Sequence, residues 1–348
     1  MHQIVSPPDS AAARVRSVDL AKSLAILCVL LIHASSDVLT YGWAGSLRWL
    51  EGLFWGSISR GAVPLFLLCS GALLLDPRRE LPVQHIWRRS IPHILLALLF
   101  WNLVYWLLAL PGSGGLTLSA LLRMEHAAHL YYLPVILLVY AALPVTRCLT
   151  AHAGRGILRY FLLFWLVFGV LLPTLRAFGC FDGFGSIFRQ WSLPLAWSAI
   201  GYTVLGFALR EHPLPQHLAV CLFAAGAAIC FAGTWLLSVQ AGALKTPLLE
   251  GFSPGPCLMA AGAFSLCVQA AKREPGPLDA AAQRLSRASF CIYLVHIAVL
   301  RLLIGAGLTA NRFHPLLTVP ALALLCGGLS WLIYALLSRL PRFRRWLI

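Results

Sequence analysis

The stretch Ser17–Ser36, which reads SVDLAKSLAILCVLLIHASS, decides what kind of fold the chain can adopt. It is apolar enough to enter a bilayer, yet it carries Asp19, Lys22 and His33. On a helix these three positions share one face, because the steps between them are combinations of three and four residues. We therefore expect a membrane helix with a carboxylate and an ammonium group at its entrance and an imidazole about 16 Å deeper.

An ionisable side chain inside a membrane segment costs about 3 kcal/mol on insertion scales and is retained mainly where it has a function. His33 is therefore a candidate catalytic residue, with Asp19 and Lys22 on the same helix face. The alternative is a histidine that packs in the bundle and hydrogen-bonds to a neighbouring helix. The stretch alone leaves both interpretations open.

The composition of the whole chain agrees with a membrane protein. Of the 348 residues, 59% are hydrophobic and only 11% are charged, a balance that no ordinary soluble domain has. The ten Cys are scattered without a Cys-x-x-Cys pair, so we expect neither a metal site nor a disulfide framework. The sequence predicts an all-α polytopic bundle of about ten transmembrane helices. The predicted spans are 20–38, 52–75, 91–110, 130–149, 157–175, 193–209, 217–238, 255–271, 287–307 and 316–338.

The distribution of basic residues predicts the orientation of the bundle. Eighteen of the 27 Lys and Arg residues fall on the side of the N-terminus, six fall on the other side and three lie within spans. This bias places both termini in the cytoplasm and accounts for the net charge of +15 without a nucleic-acid partner. The predicted organisation is an N-terminal tail (1–16), one transmembrane domain (17–338) and a basic C-terminal tail (339–348).

Arg60 lies in the middle of the second predicted span. A guanidinium group is always charged, so in this position it needs an anionic substrate or a carboxylate partner. The nearest acids in sequence are Asp19, Asp37 and Glu51, and an ion pair with one of them remains an alternative to a substrate contact. On the same span Ser70 precedes a glycine, a pairing that by itself explains close packing between helices.

Further candidates lie at the mouths and in the middle of other spans. Arg88 and Arg89 open the third span on the cytoplasmic side, where they could bind a phosphate-bearing ligand that enters the bundle. His129 lies at the outer end of the fourth span, and Tyr293 and His296 share a face of the ninth. Two intramembrane histidines on separate helices, combined with a basic cytoplasmic mouth, form a more specific pattern than either histidine alone.

The order and spacing of these residues resemble the integral-membrane acyltransferases of type three over residues 17–338. More narrowly, they resemble the branch that O-acetylates bacterial surface polysaccharides such as the enterobacterial common antigen. Lys22 stands where many members have Arg. The stretches that carry the resemblance are Asp19–Lys22 with His33, Ser59–Phe66 with Ser70-Gly71, Trp87–Pro92, Phe100–Tyr105, His129–Leu133, Gly201-Tyr202 with Gly206, and Ser289–His296.

The resemblance implies transfer of an acyl group, usually acetyl, from cytoplasmic acyl-CoA to a hydroxyl of a glycan or lipid-linked glycan at a bacterial inner membrane. Acetyl-CoA is then the expected donor, and no metal is expected. His33 is the expected central catalytic residue, with Asp19 and Lys22 organising its helix and His296 as a second catalytic candidate. The expected donor-binding residues are Arg60, Arg88 and Arg89, and the candidates for substrate or oxyanion contact are Ser70, His129 and Tyr293.

A transporter or flippase of a lipid-linked sugar is the main alternative. It would explain many spans, kinked helices and intramembrane charges without any acyl chemistry. Such proteins often show paired broken helices in two halves of the chain, a pattern that this sequence does not display. The sequence leaves open which acyl group is transferred and which acceptor receives it. It also leaves open whether transfer is direct or passes through an acyl-histidine intermediate, and whether the protein forms a homo-oligomer.

Overall fold

The computed structural model describes residues 15–108, 118–180 and 190–348, and within these ranges it contains helices and no β-strand. The predicted N-terminal tail lies outside the described residues as far as residue 14. A 3₁₀-helix, Glu125–Tyr131, leads into the fifth helix. The other helices of at least six residues are α1 (Arg16–Tyr41), α2 (Leu47–Ile58), α3 (Ala62–Leu74), α4 (Val83–Leu108), α5 (Tyr132–His152), α6 (Arg155–Ala177), α7 (Leu195–Glu211), α8 (Gln216–Ala241), α9 (Pro254–Ala270), α10 (Pro277–Gly305), α11 (Pro315–Leu337) and α12 (Pro341–Trp346).

The all-α membrane fold predicted from the sequence is confirmed. In the described part of the chain, eight helical segments are long and apolar enough to cross a membrane. Each of the ten predicted spans has a helical counterpart, but α7 and α9 have only 17 residues each. They extend about 26 Å, which is less than the ~30 Å of a hydrocarbon core. The second predicted span is broken, because α2 ends at Ile58 and α3 begins at Ala62.

The first helix, α1, lies at the centre of the bundle and packs against α2, α3, α9, α10 and α11. Ala21, Ala25 and Ile26 on α1 are completely buried. Small side chains allow membrane helices to approach closely, and van der Waals packing and interhelical hydrogen bonds then hold them together. The stretch Ser17–Ser36, on which the sequence analysis rests, is therefore also part of the helix at the centre of the bundle.

Polar contacts fix α1 against α10 at the end that the charge distribution assigns to the cytoplasm. Arg16 Nη2 donates to Asp279 Oδ2 over 2.9 Å, and Ser286 Oγ donates to Asp19 Oδ1 over 2.6 Å. Ser23 adds a bond from its hydroxyl to a backbone carbonyl of α10. Because these bonds join the first turns of both helices, α1 and α10 start together and run side by side in the same direction.

Two glycines set the contact between α3 and α7. A Cβ added at Gly71 would lie 1.8 Å from the carbonyl oxygen of Thr203, and one added at Gly206 would lie 2.1 Å from the carbonyl oxygen of Leu68. Both distances are far below van der Waals contact, so only glycine permits this separation of the two backbones. The close helix approach predicted beside Ser70 is present.

Charged side chains fasten the loop between α3 and α4. Arg78 donates to both carboxylate oxygens of Asp76, at 2.8 and 3.2 Å, and to Glu211 at the end of α7. Burial by itself would raise the pKa of Asp76, but hydrogen bonds and charge from Arg78, together with the charge of Arg210, bring that pKa below its usual value. The resulting stabilisation is present above the usual pKa of aspartate and is lost as the pH falls through the lowered pKa of Asp76.

The predicted C-terminal tail contains helix α12, which folds back against α4. The ring of Phe343 packs edge-on against that of Phe100, with 5.8 Å between centroids. The Trp101 indole N–H donates to the carbonyl of Leu347 over 2.9 Å. Residues 339–348 therefore belong to the folded bundle.

The substitution Gly71→Ala tests the contact between α3 and α7. The added methyl group would overlap the Thr203 carbonyl and force the two helices apart, so we expect a loss of about 1–3 kcal/mol in stability. The measurement is the thermal unfolding midpoint of the protein purified in detergent. Gly328→Ala on α11 is the matched control, because a Cβ there meets no atom within 4 Å. Equal midpoints for the two variants would contradict this account of the contact.

Candidate active site

His33 and His296 meet in the half of the bundle opposite the end that the charge distribution assigns to the cytoplasm, which is called the cytoplasmic end below. His33 lies 17 residues beyond Arg16 on α1, and His296 lies 17 residues beyond Asp279 on α10. Since α1 and α10 run parallel from the Arg16–Asp279 pair, each histidine is about 25 Å further along the contact between these two helices. Their ring centroids are 4.9 Å apart and the rings are tilted by 53°. The two intramembrane histidines predicted on separate helices are neighbours.

A third histidine, His129, joins this pair from the 3₁₀-helix that precedes α5. Its ring is perpendicular to that of His296, with 5.5 Å between the centroids. Met124, just before the 3₁₀-helix, has a φ of 57°, a left-handed conformation that is uncommon for a residue other than glycine. We call His33, His129 and His296 the histidine cluster.

Hydrogen bonds fix the tautomer of His296. Its Nδ1 lies 2.7 Å from the carbonyl oxygen of Tyr293 and 3.2 Å from that of Ile292. A carbonyl can only accept, so in the neutral ring Nδ1 carries the proton and Nε2 presents a lone pair. The side chain is completely buried, and Nε2 has no hydrogen-bond partner among the described residues. An unpaired buried acceptor is rare in folded proteins and suits a site that receives a proton or a substrate hydroxyl.

Tyr105 links His129 to the turn of α10 that carries His296. Its ring packs edge-on against His129 with 4.5 Å between centroids. Its hydroxyl donates to the carbonyl of Leu294 over 2.8 Å and accepts from the N–H of Ala298 over 3.2 Å. The Leu294 carbonyl and the Ala298 N–H are four residues apart, the spacing at which they would bond to each other in a regular helix. The Tyr105 hydroxyl bridges these two groups, so it is inserted into the helix backbone at the turn that contains His296.

Two of the candidates for substrate contact already hydrogen-bond to the protein. The Tyr293 hydroxyl donates to the carbonyl of His129 over 2.6 Å and so anchors the 3₁₀-helix to α10. The Ser70 hydroxyl donates to the carbonyl of Phe66 over 3.0 Å on its own helix. Their hydroxyl protons are therefore engaged, whereas their side chains still line a cavity.

Arg60 lies at the break between α2 and α3 and has no carboxylate partner in the described part of the chain. Its Nε is buried without a hydrogen-bond partner there. The acids proposed as ion-pair partners are occupied elsewhere or absent from its surroundings: Asp19 accepts from Ser286, and Glu51 pairs with His314 at 3.2 Å. Glu250 is close enough to act electrostatically on Arg60, but the two side chains form no ion pair within the described residues. The geometry thus favours a ligand contact over a structural ion pair.

Two adjacent cavities lead from the cytoplasmic side toward the histidine cluster. The first, of about 220 Å³, begins at Arg89 and includes His93 and Tyr140. The second, of about 250 Å³, shares His93 and Tyr140 with the first and continues to Tyr293. Lys22, Ser70 and Tyr132 also line the second cavity. A ligand could therefore approach the cluster along α4 and α10.

The other predicted residues lie further from the cluster. Asp19 and Lys22 are at the cytoplasmic end of α1, about 21 and 16 Å along the helix from His33. Asp19 lines a surface cavity of about 240 Å³ next to Arg16, and Lys22 lines the internal cavity. Arg89 lines the cytoplasmic cavity, whereas Arg88 is exposed and does not.

Several site residues escaped the sequence interpretation. Tyr105 entered the sequence analysis only as part of the Phe100–Tyr105 stretch, and nothing distinguished Tyr140 from the other residues of its span. His93 lies in the third predicted span, so the criterion that singled out His33, an ionisable group in an apolar run, could have found it. No group of three or more His, Cys, Asp or Glu with the geometry of a metal site occurs in the described ranges.

The fold and the site together define an integral-membrane protein with an internal cavity, lined partly by polar side chains, between its helices. A family model described as an acyltransferase domain matches residues 15–335. The match covers most of the chain, so the chain belongs to this family and is a multi-pass membrane acyltransferase. The comparison with curated proteins gave no match, and neither did the comparison with solved structures.

The substitution Tyr105→Phe tests how the turn around His296 is held. It removes a buried hydroxyl that satisfies one carbonyl and one N–H of α10, so we expect a loss of about 1–3 kcal/mol in stability. The measurement is again the unfolding midpoint in detergent. Tyr160→Phe on α6 is the control, since this tyrosine side chain is exposed. An unfolding midpoint unchanged by Tyr105→Phe would show that the inserted hydroxyl contributes nothing to the turn.

Proposed function

We propose that the protein is a membrane O-acyltransferase, in the first instance an O-acetyltransferase. It takes an acyl group from cytoplasmic acyl-CoA and passes it to a hydroxyl of a cell-surface or lipid-linked glycan at the bacterial inner membrane. Membership of the acyltransferase family supports the reaction type and disfavours the transporter alternative. The observation that carries the proposal is the histidine cluster in the outer half of the bundle, next to a cavity that starts among cytoplasmic basic residues.

His33 is the proposed general base. It takes the proton from the acceptor hydroxyl while the oxygen attacks the carbonyl carbon of the thioester. As the tetrahedral intermediate collapses, the carbon–sulfur bond breaks, and the leaving thiolate takes the proton from the His33 imidazolium. If the acyl group passes first to the ring of His33, the same residue serves as nucleophile, and the proton balance is unchanged.

The neighbours of His33 suit two supporting tasks. The lone pair on Nε2 of His296 can accept a hydrogen bond from a protonated His33 or from the acceptor hydroxyl, because no protein group within the described ranges occupies it. The unpaired Nε–H of Arg60 can donate to the oxyanion of the intermediate. Arg60 fits this task better than Tyr293, whose hydroxyl proton is already bonded to the His129 carbonyl.

The two substrates are proposed to enter from opposite sides. Arg89 at the cytoplasmic cavity suits the phosphates of CoA, and the internal cavity suits the thioester arm. His33 is only about 12 Å along α1 from the outer end of the helix at Tyr41. A glycan on the outer side would therefore need to reach only a short distance into the bundle, and CoA itself would not have to cross.

The assignment is tested by His33→Ala in membranes supplied with acetyl-CoA labelled in the acetyl group. We expect wild-type membranes to transfer label into a chloroform-soluble or polysaccharide fraction, and the variant to lose at least about 100-fold of that rate. The measurement is label per amount of inserted protein. His217→Ala is the matched control, because this histidine is exposed at the start of α8 and far from the cluster in the fold.

Each outcome of this experiment has a definite meaning. Equal transfer by wild type and His33→Ala would remove His33 from the mechanism and direct attention to His296. Absence of transfer by wild type, with other acyl-CoA donors and glycan acceptors also supplied, would contradict the proposed reaction. A loss in His217→Ala equal to that in His33→Ala would show that the effect is not specific to the cluster.

A further inference from the structure

Helix α12 lies outside the part of the chain that defines the family. The family match ends at residue 335, and α12 spans Pro341–Trp346. The helix is short and basic, with Arg342, Arg344 and Arg345 within its six residues. The sequence interpretation treated this region only as a positively charged cytoplasmic tail.

The structure ties α12 to the cytoplasmic cavity rather than to the surface of the bundle. Trp101 of α4 donates to the Leu347 carbonyl over 2.9 Å, and Phe100 packs edge-on against Phe343. His93, one of the residues shared by the two cavities, lines the first of them together with Arg345. These contacts hold the end of α12 over the cytoplasmic opening.

The lining of that cavity is basic and comes from two separate parts of the chain. Arg89 and Ser90 come from α4, and Arg345 and Trp346 come from α12. The guanidinium carbon of Arg345 lies 5.2 Å from the centroid of the Trp346 ring, in the range of a cation–π contact. The residues that line the cavity include no carboxylate to balance the two guanidinium groups. An anionic ligand would supply that balance.

We propose that α12 completes the donor site, with Arg345 and Arg89 together binding phosphate groups of the acyl-CoA donor. This proposal rests on the proposed function, because it takes a nucleotide thioester as the ligand. Guanidinium groups suit phosphate because their planar donors can make two parallel hydrogen bonds to it. With the phosphates held at this opening, the thioester arm lies next to the cavity that passes His93 and Tyr140 on the way to Tyr293.

The three arginines of α12 provide an internal comparison. Arg342 and Arg344 have the same charge and lie on the same short helix, but neither lines the cavity, whereas Arg345 does. If the helix only attracted anionic lipids or followed the positive-inside rule, the arginines would be interchangeable. A specific donor site distinguishes Arg345 from the other two.

The test is the dissociation constant of CoA for the full-length protein purified in detergent, measured by isothermal titration calorimetry. We expect Arg345→Ala to weaken CoA binding about three- to tenfold, as for loss of a partly exposed charged contact, while Arg342→Ala stays within about twofold of wild type. In a double-mutant cycle, Arg89→Ala and Arg345→Ala should be non-additive, because both contact the same ligand.

The outcomes separate this inference from the proposed function. Equal CoA affinities for Arg345→Ala and Arg342→Ala, with wild type binding CoA, would overturn the role of α12 and leave the proposed donor intact. If wild type does not bind CoA at all, the proposed donor is wrong and this inference falls with it. Should Arg345→Ala have a lowered unfolding midpoint, Arg345→Gln, which keeps most of the side-chain packing, decides the same comparison.

Discussion

The pairing of α1 with α10 is the constraint on which the rest of the structure depends. Both helices carry polar groups into a membrane, where such groups are costly unless other protein groups satisfy them. At the cytoplasmic end they satisfy one another through Arg16 with Asp279 and Asp19 with Ser286. Those bonds fix the register of two parallel helices, and the register brings His33 beside His296 about 25 Å further along. Asp19 thus lies far from the histidine cluster, and its hydrogen bond with Ser286 helps to position the helix that carries His33.

Towards the other end of α1 and α10, several buried polar side-chain atoms have no hydrogen-bond partner in the described structure. Five of the seven buried side-chain atoms that lack a hydrogen bond in the described structure belong to Ser57, Ser59, Arg60, His129 and His296. Leaving such an atom unsatisfied costs about 1–3 kcal/mol, and more where charge is involved. Their concentration around the α2–α3 break and the histidine cluster means that stability is lost locally where reactive groups are kept available. Close packing elsewhere, as between α3 and α7, offsets this loss of stability.

Features encoded within one segment could be predicted from the sequence, and features that join distant segments could not. Hydropathy located a helical counterpart for each of the ten predicted spans, because entry into a bilayer depends on each segment's own composition. His33 and His296 could be singled out since an ionisable group is conspicuous in an apolar run. The sequence could not reveal that Tyr105 bonds across 189 residues to Leu294. Nor could it show that Arg60 forms no ion pair with a carboxylate among the described residues, because that depends on where each acid lies in the fold.

The break between α2 and α3 has an electrostatic consequence for Arg60. Each helix carries an axial dipole whose carboxyl end bears about half a negative charge, concentrated on the last turn of unpaired carbonyls. Arg60 lies two residues after the carboxyl end of α2 and two residues before the amino end of α3, so a negative and a positive dipole end both act on its guanidinium group. The two effects oppose each other, and the backbone of the break does not replace a carboxylate as the partner of this charge. The interrupted span instead provides a turn in which the Nε donor of Arg60 is unoccupied within the described structure.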